Sequence, residues 1–443
     1  MQQDDEDRPT QHRAVPSGRV ARLGAFGRLA GGVAGGMIAE GARRLAAGER
    51  PKIGDLVLTP GNAKRVADQL SHLRGAAMKL GQMISMDAGD VLPPELQSIL
   101  SRLRNQAYRM PPTQLDRVLR DEWGNDWRRK FRHFEASPIA AASIGQVHRA
   151  TLSDGRVLAI KVQYPGVAES IDADVDNVAT LLRVSGVLPS SIDLTPLLTE
   201  AKRQLAEEAD YVREGEQMRL YGARLAGDAR YAVPTLEPTL TTRRVLAMDF
   251  VEGRPVEALA DAPQDVRDRL MTALVTLVLR ELFDFGVMQT DPNFANYRWQ
   301  PEANALVLLD FGATRDVPAD TADAYRRLIH AGLSRDRDAI RDITVETGFV
   351  GAEAAAAHRP ALDRMIAAID DALNRDGPFD FGDRAFVPVV REEAKGMIAD
   401  RATWHVPDVE TLFVQRKVSG TALLAARLKA RVDVRGLAEA AVS

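Results

Sequence analysis

Asp310-Phe311-Gly312 follows the apolar pair Leu308-Leu309, so a short strand delivers a carboxylate to its end. Nineteen residues earlier stands Asp291, with Asn296 five positions after it. Either element alone is a weak signal, since an aspartate that caps a turn looks the same. In this order they make the set that phosphoryl transfer needs. The Asp310 carboxylate and the Asn296 carbonyl are hard oxygen ligands for Mg²⁺, and Asp291 can orient a hydroxyl or a water. The D-x-x-x-x-N spacing ahead of Asp-Phe-Gly is that of a kinase catalytic loop, although Gln289-Thr290 occupies the usual His-Arg position.

Upstream, Ala159-Ile160-Lys161 matches the V-A-I-K pattern except at Leu158, which puts Lys161 on a strand within reach of nucleotide phosphates. Before it runs Ala140-Ala141-Ala142-Ser143-Ile144-Gly145-Gln146-Val147, a G-x-G-x-x-G-x-V loop with its first two glycines replaced by alanine. Ala140, Ala141, Ala142, Ser143, Gly145 and Val147 are therefore candidates to cover the phosphates. Alanine cannot use positive φ cheaply, so this cover is expected to be stiffer than a glycine-rich one. A helix over about 200–220 carries Glu207, Glu208, Asp210, Glu214 and Glu216. At 100° per residue Asp210 and Glu214 share a face and Glu208 points away, so the helix can serve two cations. Glu214 is the expected partner of Lys161. The second cation is Lys79, beside Gln82 on a helix whose apolar stripe is Leu73, Leu80 and Ile84; read alone, Lys79 is a surface lysine.

These residues need elements to hold them. His148–Thr151 and Val157–Val162 are strand-like and joined by Ser153-Asp154-Gly155, a good hairpin turn. Residues 168–222 read as helical with a break around Pro189, and Arg243–Phe250 as a strand leading to a hinge. On position alone, Met248 and Val251 would line the adenine side. Val266–Phe285 is one long apolar-striped helix, and short strands near Tyr297–Trp299 and Ala305–Leu309 flank a Gln300-Pro301 turn. Everything after about 318 reads as helix, with a break near Gly377–Gly382. A strand-rich part followed by a helical part is an α+β, two-lobed pattern. Trp123, Trp127 and Trp299 read as packing aromatics, and the seven histidines show no ligand spacing.

The composition narrows the function classes. With 443 residues, 45% of them hydrophobic, the chain can bury a sizeable core. Its 58 basic and 62 acidic side chains give a net charge of −4, which excludes the global basic field of a nucleic-acid binder. The absence of cysteine removes thiolate metal sites, cysteine nucleophiles and disulfides together. The high Arg:Lys ratio, 49 to 9, suits a GC-rich bacterial gene. No run of roughly 18–20 apolar residues predicts a transmembrane helix, and Asp4-Asp5-Glu6-Asp7 is the wrong charge for a secretory signal. The expected location is the cytoplasm or, peripherally, the inner face of the bacterial membrane. Residues 1–18 read as a disordered tail. Residues 19–50 are small, apolar and basic, with Gly27/Gly31, Gly31/Gly35 and Gly32/Gly36 spacings. From Arg8 to Arg50 there are eight arginines against two glutamates, an excess of +6. Two readings fit this segment: a glycine-rich helix packed on its own domain, and a contact with an anionic membrane or a second copy in a homodimer.

Taken together the chain resembles the UbiB/aarF family of atypical kinases, in its coenzyme Q-associated, mitochondrial-type branch. The resemblance runs from about residue 20 to 440. It rests on Lys79-Leu80-Gly81-Gln82 (the family's KxGQ), Ala140–Val147, Lys161, Glu208-Ala209-Asp210 (its ExD) and Glu214. Met288 to Asn293, Asp310 to Arg315, Gln415-Arg416-Lys417-Val418-Ser419-Gly420 and Leu428-Lys429-Ala430-Arg431 complete it. It implies a protein-kinase-like fold with a helical N-terminal KxGQ extension, residues 51–130, wrapped over the active site. An N-lobe with a helical insert would span 131–251 and a helical C-lobe 252–443. In that arrangement Lys79 pairs with Glu208, and Lys79, Gln82, Glu208 and Asp210 gate the site and block a peptide groove. The resemblance also implies ATP or ADP with Mg²⁺ between the lobes, ATPase activity, and support of ubiquinone biosynthesis at membranes. The acceptor would be a small molecule or lipid such as a quinone precursor, with other quinone-biosynthesis enzymes as partners. The alternative reading is a nucleotide-sensing scaffold with little turnover.

Overall fold

The computed structural model describes residues 110–184, 195–291, 293–400, 403 and 409–443. The expectations for residues 1–109, including Lys79, Gln82 and the basic glycine-rich segment, lie outside these described residues.

The chain divides into two compact units. The first takes in the described residues up to Gly215 together with Leu236–Phe250; the second comprises Glu216–Thr235 and Val251–Ser443.

In the first unit, helix α1 (Pro112–Trp123) opens with proline at its first position, where the missing N–H costs nothing. Strands β1 (Phe131–Phe134), β2 (Ala140–Ala141), β3 (Gly145–Leu152) and β4 (Val157–Gln163) follow. The expected hairpin is β3–β4, paired from Gly145↔Gln163 to Thr151↔Val157, with Gly155 at φ +91° in its turn. A later strand, Val245–Asp249, pairs antiparallel with β4, giving the order β1-β3-β4-β(245–249) with β2 on β3. The face of β4 that meets α1 is dry: Leu158, Ile160 and Val162 are wholly buried with Leu119, Trp127 and Val245. Each such side chain contributes about 1.5–3 kcal/mol by leaving water. Trp127 and Phe131 meet Phe134 edge to face on this core, Trp123 packs tilted against Phe131, and the Trp123 indole N–H donates to Leu240 O at 2.9 Å.

Among the described residues, the helical stretch expected over 168–222 contains the α-helices α2 (Ile171–Val184), α3 (Thr195–Glu208) and α4 (Tyr211–Arg224). The expectation of one helix through 200–220 is corrected, because the chain breaks at Ala209-Asp210. Asp210 caps the new helix: its Oδ1 accepts from the backbone N–H of Val212 at 3.1 Å and of Arg213 at 3.2 Å. Asp210 therefore does not share a helical face with Glu214.

The second unit contains β5 (Tyr231–Ala232), the strand of the first unit at Val245–Asp249 being β6, then β7 (Arg254–Pro255) and α5 (Gln264–Arg280). The long helix expected to reach Phe285 changes character, its last turn, Glu281–Phe285, being π-helical before Gly286 in the left-handed region at φ +64°. Strands β8 (Val287–Gln289), β9 (Tyr297–Gln300), β10 (Ala305–Leu308) and β11 (Thr314–Asp316) come next. β9 and β10 pair as a hairpin, and β8 pairs with β11. The remainder is helical as expected: α6 (Ala319–Leu333), α7 (Arg337–Glu346), α8 (Ala352–Ala357), α9 (Arg359–Leu373), α10 (Val387–Ala399), α11 (Val409–Leu428) and α12 (Val434–Val442). The expected break holds a strand, β12 (Phe379–Asp380), which pairs with β13 (Arg431–Val432). Among the described residues no helix is long and apolar enough to cross a membrane.

Candidate active site

Lys161 lies in the middle of β4, opposite Val147 on β3 and Leu246 on β6. Its ammonium donates to both carboxylate oxygens of Glu214, each at 2.9 Å. The two side chains are only 9% and 1% exposed, so this is a buried, charge-assisted pair rather than a surface contact. The ammonium also stands over the Tyr211 ring, 5.0 Å from its centroid, a residue that sequence patterns did not single out. Gly215 on α4 sits against Leu236. A Cβ there would meet Leu236 Cδ1 at 2.9 Å, so a larger residue would require the Leu236 side chain to shift. The Gln163 amide fixes the start of α4 from the other side, donating to Ala209 O at 3.0 Å.

The alanine-rich segment is a tight hairpin. Ala140 faces Val147 and Ala141 faces Gln146, and Ala142 N–H closes the tip on Gly145 O at 2.9 Å. The alanines keep ordinary negative φ; the positive-φ non-glycine residues among those described are Asn304, Arg335 and Lys429. The missing glycines therefore cause no backbone strain here. Ala140 and Ala141 are exposed, Ala142, Ser143 and Val147 half-buried and Gly145 buried. Gly145 has no room for a side chain, because a Cβ would lie 2.4 Å from Val162 O. Ser143 Oγ donates to Glu208 Oε2 at 3.3 Å, so the hairpin tip and the end of α3 are tied together. Met248 is 6% exposed, opposite Ala159 and bridged to Leu236; Val251 is half-buried and belongs to the second unit.

His148, one of the histidines without ligand spacing, is wholly buried. Its Nδ1 lies 2.8 Å from Glu135 O and its Nε2 2.8 Å from the Gln146 amide nitrogen, whose Oε1 accepts from Met110 N–H at 2.9 Å. A donor to a carbonyl on one side and an acceptor from an amide on the other define the neutral Nδ1–H tautomer. Burial lowers its pKa to about 4.

In the second unit the register places Asn296 opposite Leu309, the residue before Asp310. Tyr297 pairs with Leu308 at the end of the β9–β10 hairpin, and one step further Leu309 N–H donates to Asn296 O at 3.0 Å. The two loops are tied again at their far ends: Gln289 pairs with Thr314, and Thr290 donates to Ala313 O through its N–H at 3.1 Å and its hydroxyl at 2.8 Å. The segments carrying Asp291 and Asp310 are thus each held at both ends by strand pairing. Asp291 Oδ1 accepts from Asn293 N–H at 3.2 Å, and Asp310 Oδ1 from Gly312 N–H at 3.0 Å, an arrangement that orients each carboxylate on its own turn. Phe311 is buried and packs on Tyr221 at 5.1 Å. Among the described residues no group of three or more His, Asp or Glu side chains could cage a metal. An amide oxygen and a carboxylate on neighbouring loops suit Mg²⁺, which keeps waters and takes its other ligands from substrate phosphates.

Behind this loop is a buried polar network that sequence spacing did not predict. Lys417 on α11 lies 3.1 Å from Glu281 Oε2 and donates to Tyr297 OH at 3.0 Å, and Glu281 Oε1 accepts from Tyr221 OH at 2.7 Å and from Gln289 N–H at 3.1 Å. Burial alone would lower the Lys417 pKa, but the Glu281 carboxylate beside it reverses that and holds the ammonium above the ordinary lysine range. Burial raises the Tyr221 and Tyr297 hydroxyls, so both stay protonated, Tyr221 donating to Glu281 and Tyr297 accepting from Lys417. The only sequence signal was that Lys417 falls in the Gln415–Gly420 run shared with the family.

The family model described as "ABC1 atypical kinase-like domain" matches residues 102–344. Over 431 residues the chain is 38% identical to the atypical kinase COQ8B, mitochondrial, of Danio rerio, covering 96% of this chain and 69% of that one. It is 36% identical to the atypical kinase COQ8, mitochondrial, of Saccharomyces cerevisiae, covering 95% and 84%. A solved complex of Rv3197 from Mycobacterium tuberculosis with erythromycin shares the fold, at a TM-score of 0.58 and 23% identity over 85% of this chain and 95% of that one. With the strand lysine, the paired loops and these likenesses in hand, the chain belongs to the ABC1 (UbiB/aarF) atypical kinase-like family, in its COQ8-type branch.

Proposed function

We propose that this protein binds MgATP and either hydrolyses it or passes the γ-phosphoryl group to a small-molecule or lipid acceptor in ubiquinone (coenzyme Q) biosynthesis. Lys161, oriented by Glu214, meets the nucleotide phosphates. Asn296 and Asp310 hold Mg²⁺, and Asp291 orients the acceptor hydroxyl or water. The hairpin Ala140–Val147 covers the phosphates, and Met248 and Val251 flank the base. The observation that carries the reading is the buried Lys161–Glu214 pair, 2.9 Å at both oxygens. A lysine kept only for solubility would project into water; this one is held in place on a central strand.

The acceptor class follows from what comes after Gly312. Only six residues, three of them β11, intervene between Gly312 and the start of α6 at Ala319, and the sequence has no Ala-Pro-Glu there. A platform for a peptide is hard to build in so short a connection. Membership in the COQ8-type branch supports a quinone-precursor acceptor, companion biosynthetic enzymes and a peripheral place on an anionic membrane. Gating by Lys79, Gln82, Glu208 and Asp210 belongs to the same proposal.

Asp291→Asn tests it. The proposal requires that nucleotide still binds while function in a quinone-deficient cell is lost. Survival of both would mean that the protein works as a nucleotide-sensing scaffold instead.

A further inference from the structure

We infer that the buried Lys417–Glu281 pair is the positioning device of the Asp291 loop, with Glu281 holding the start of the loop and Lys417 its end. The inference rests on the reading above only in giving Asp291 a catalytic role; the clamp itself is a matter of geometry.

Strand β8 ends at Gln289, before Asp291, and β9, in a different sheet, begins at Tyr297, after Asn296. Both flanking residues are gripped by the same pair. Glu281 Oε1 accepts the Gln289 backbone N–H at 3.1 Å, so a charged acceptor substitutes for a strand partner two residues before Asp291. The Lys417 ammonium donates to Tyr297 OH at 3.0 Å, one residue after Asn296, and lies 3.5 Å from Gln289 Oε1. The 3.1 Å contact between Lys417 and Glu281 then fixes the distance between the two ends. Tyr221 completes the carboxylate's coordination from α4.

Two further observations point to position rather than stability. The side chains are 1% and 0% exposed, and a pair so buried sacrifices hydration that an apolar pair would not. Apolar residues of the same volume would hold α11 against α5 as well or better. The second is the π-helical turn that begins at Glu281. An inserted residue of this kind costs regular hydrogen bonding and re-aims the side chains of the turn, and such turns recur at functional sites. Here the re-aimed side chain is the one that reaches Gln289.

Hydrogen–deuterium exchange on the full chain without nucleotide tests the clamp separately from catalysis. The variants are Lys417→Met with Glu281→Gln, and the milder Tyr297→Phe, which removes one hydroxyl. In the double variant, exchange across 287–298 should rise by about tenfold or more while α6 and α9 keep their protection. In Tyr297→Phe the rise should be confined to the end of the loop, 295–300. Lys417→Arg should restore part of the protection, because it keeps the charge. Where MgATP turnover is measurable, kcat should fall with exchange while the KM for MgATP changes little. Unchanged exchange in 287–298, or an equal rise throughout the second unit, would overturn the clamp. Absence of turnover in the unaltered protein would sink the proposed function and leave the exchange result standing.

Discussion

Removing one partner of the Lys161–Glu214 pair separates the structural from the chemical contribution of that lysine. At 2.9 Å, and with an effective dielectric of about 20, the attraction between the two charges is about 6 kcal/mol. Much of it offsets the hydration lost when side chains 9% and 1% exposed leave water. Glu214→Ala strands the Lys161 ammonium over the Tyr211 ring and should cost the first unit about 3–5 kcal/mol. Lys161→Met with Glu214→Leu replaces both charges by apolar groups of similar volume, and should return stability to within about 1–2 kcal/mol of the unaltered protein. Urea unfolding followed by circular dichroism measures both, read from the transition that contains the first unit, since a chain of two units need not unfold in one step. MgATP binding should be lost in the single and the double variant alike. Two results would refute this reasoning. One is a cost below about 1 kcal/mol for Glu214→Ala, which would mean that the pair is solvated. The other is nucleotide binding restored in the double variant, which would mean that Lys161 serves packing alone.

Three further predictions follow from single contacts. The pKa of His148 is lowered to about 4 in the folded chain and is ordinary, near 6.5, in the unfolded one, so the unfolded state binds the proton first as pH falls. Its contribution to stability is complete above about pH 6.5 and is lost progressively toward pH 4, about 3 kcal/mol in all, and His148→Gln should flatten that part of the stability–pH curve. Gly145→Ala places a Cβ 2.4 Å from Val162 O and should cost about 1–3 kcal/mol by thermal unfolding, with the β3–β4 register disturbed. Asp210→Ala removes the cap bonds to Val212 and Arg213 and should cost about 1 kcal/mol, whereas Asp210→Ser should recover most of it.

The parts of the fold visible in the sequence were those whose cause is local. The β3–β4 hairpin announced itself through its turn residues and strand periodicity, and the β9–β10 hairpin through two short apolar runs around Gln300-Pro301. Fixed spacing likewise singled out Asp291, Asn296 and Asp310 as candidates, and a short hairpin sets the register in which Tyr297 pairs with Leu308. The break at Asp210 was missed because Glu207-Glu208-Ala209-Asp210 has good helical composition on both sides, and only the cap geometry shows where one helix ends. The π turn at Glu281–Phe285 was missed because the apolar stripe continues through it. The pairing of Lys417 with Glu281 was invisible for a different reason: they are 136 residues apart, and nothing in the sequence around either names the other. Long-range burial decides their role, and no local pattern encodes it.

The central claim is that the Asp291, Asn296 and Asp310 loops turn over MgATP. Phosphate release by the purified full chain tests it most directly, with and without anionic liposomes and a phenolic mimic of the quinone head, and with Asp310→Asn as the blank. The account predicts turnover that rises with lipid and disappears in Asp310→Asn. Phosphate release no higher than that of Asp310→Asn under every condition, with nucleotide still bound, would contradict it.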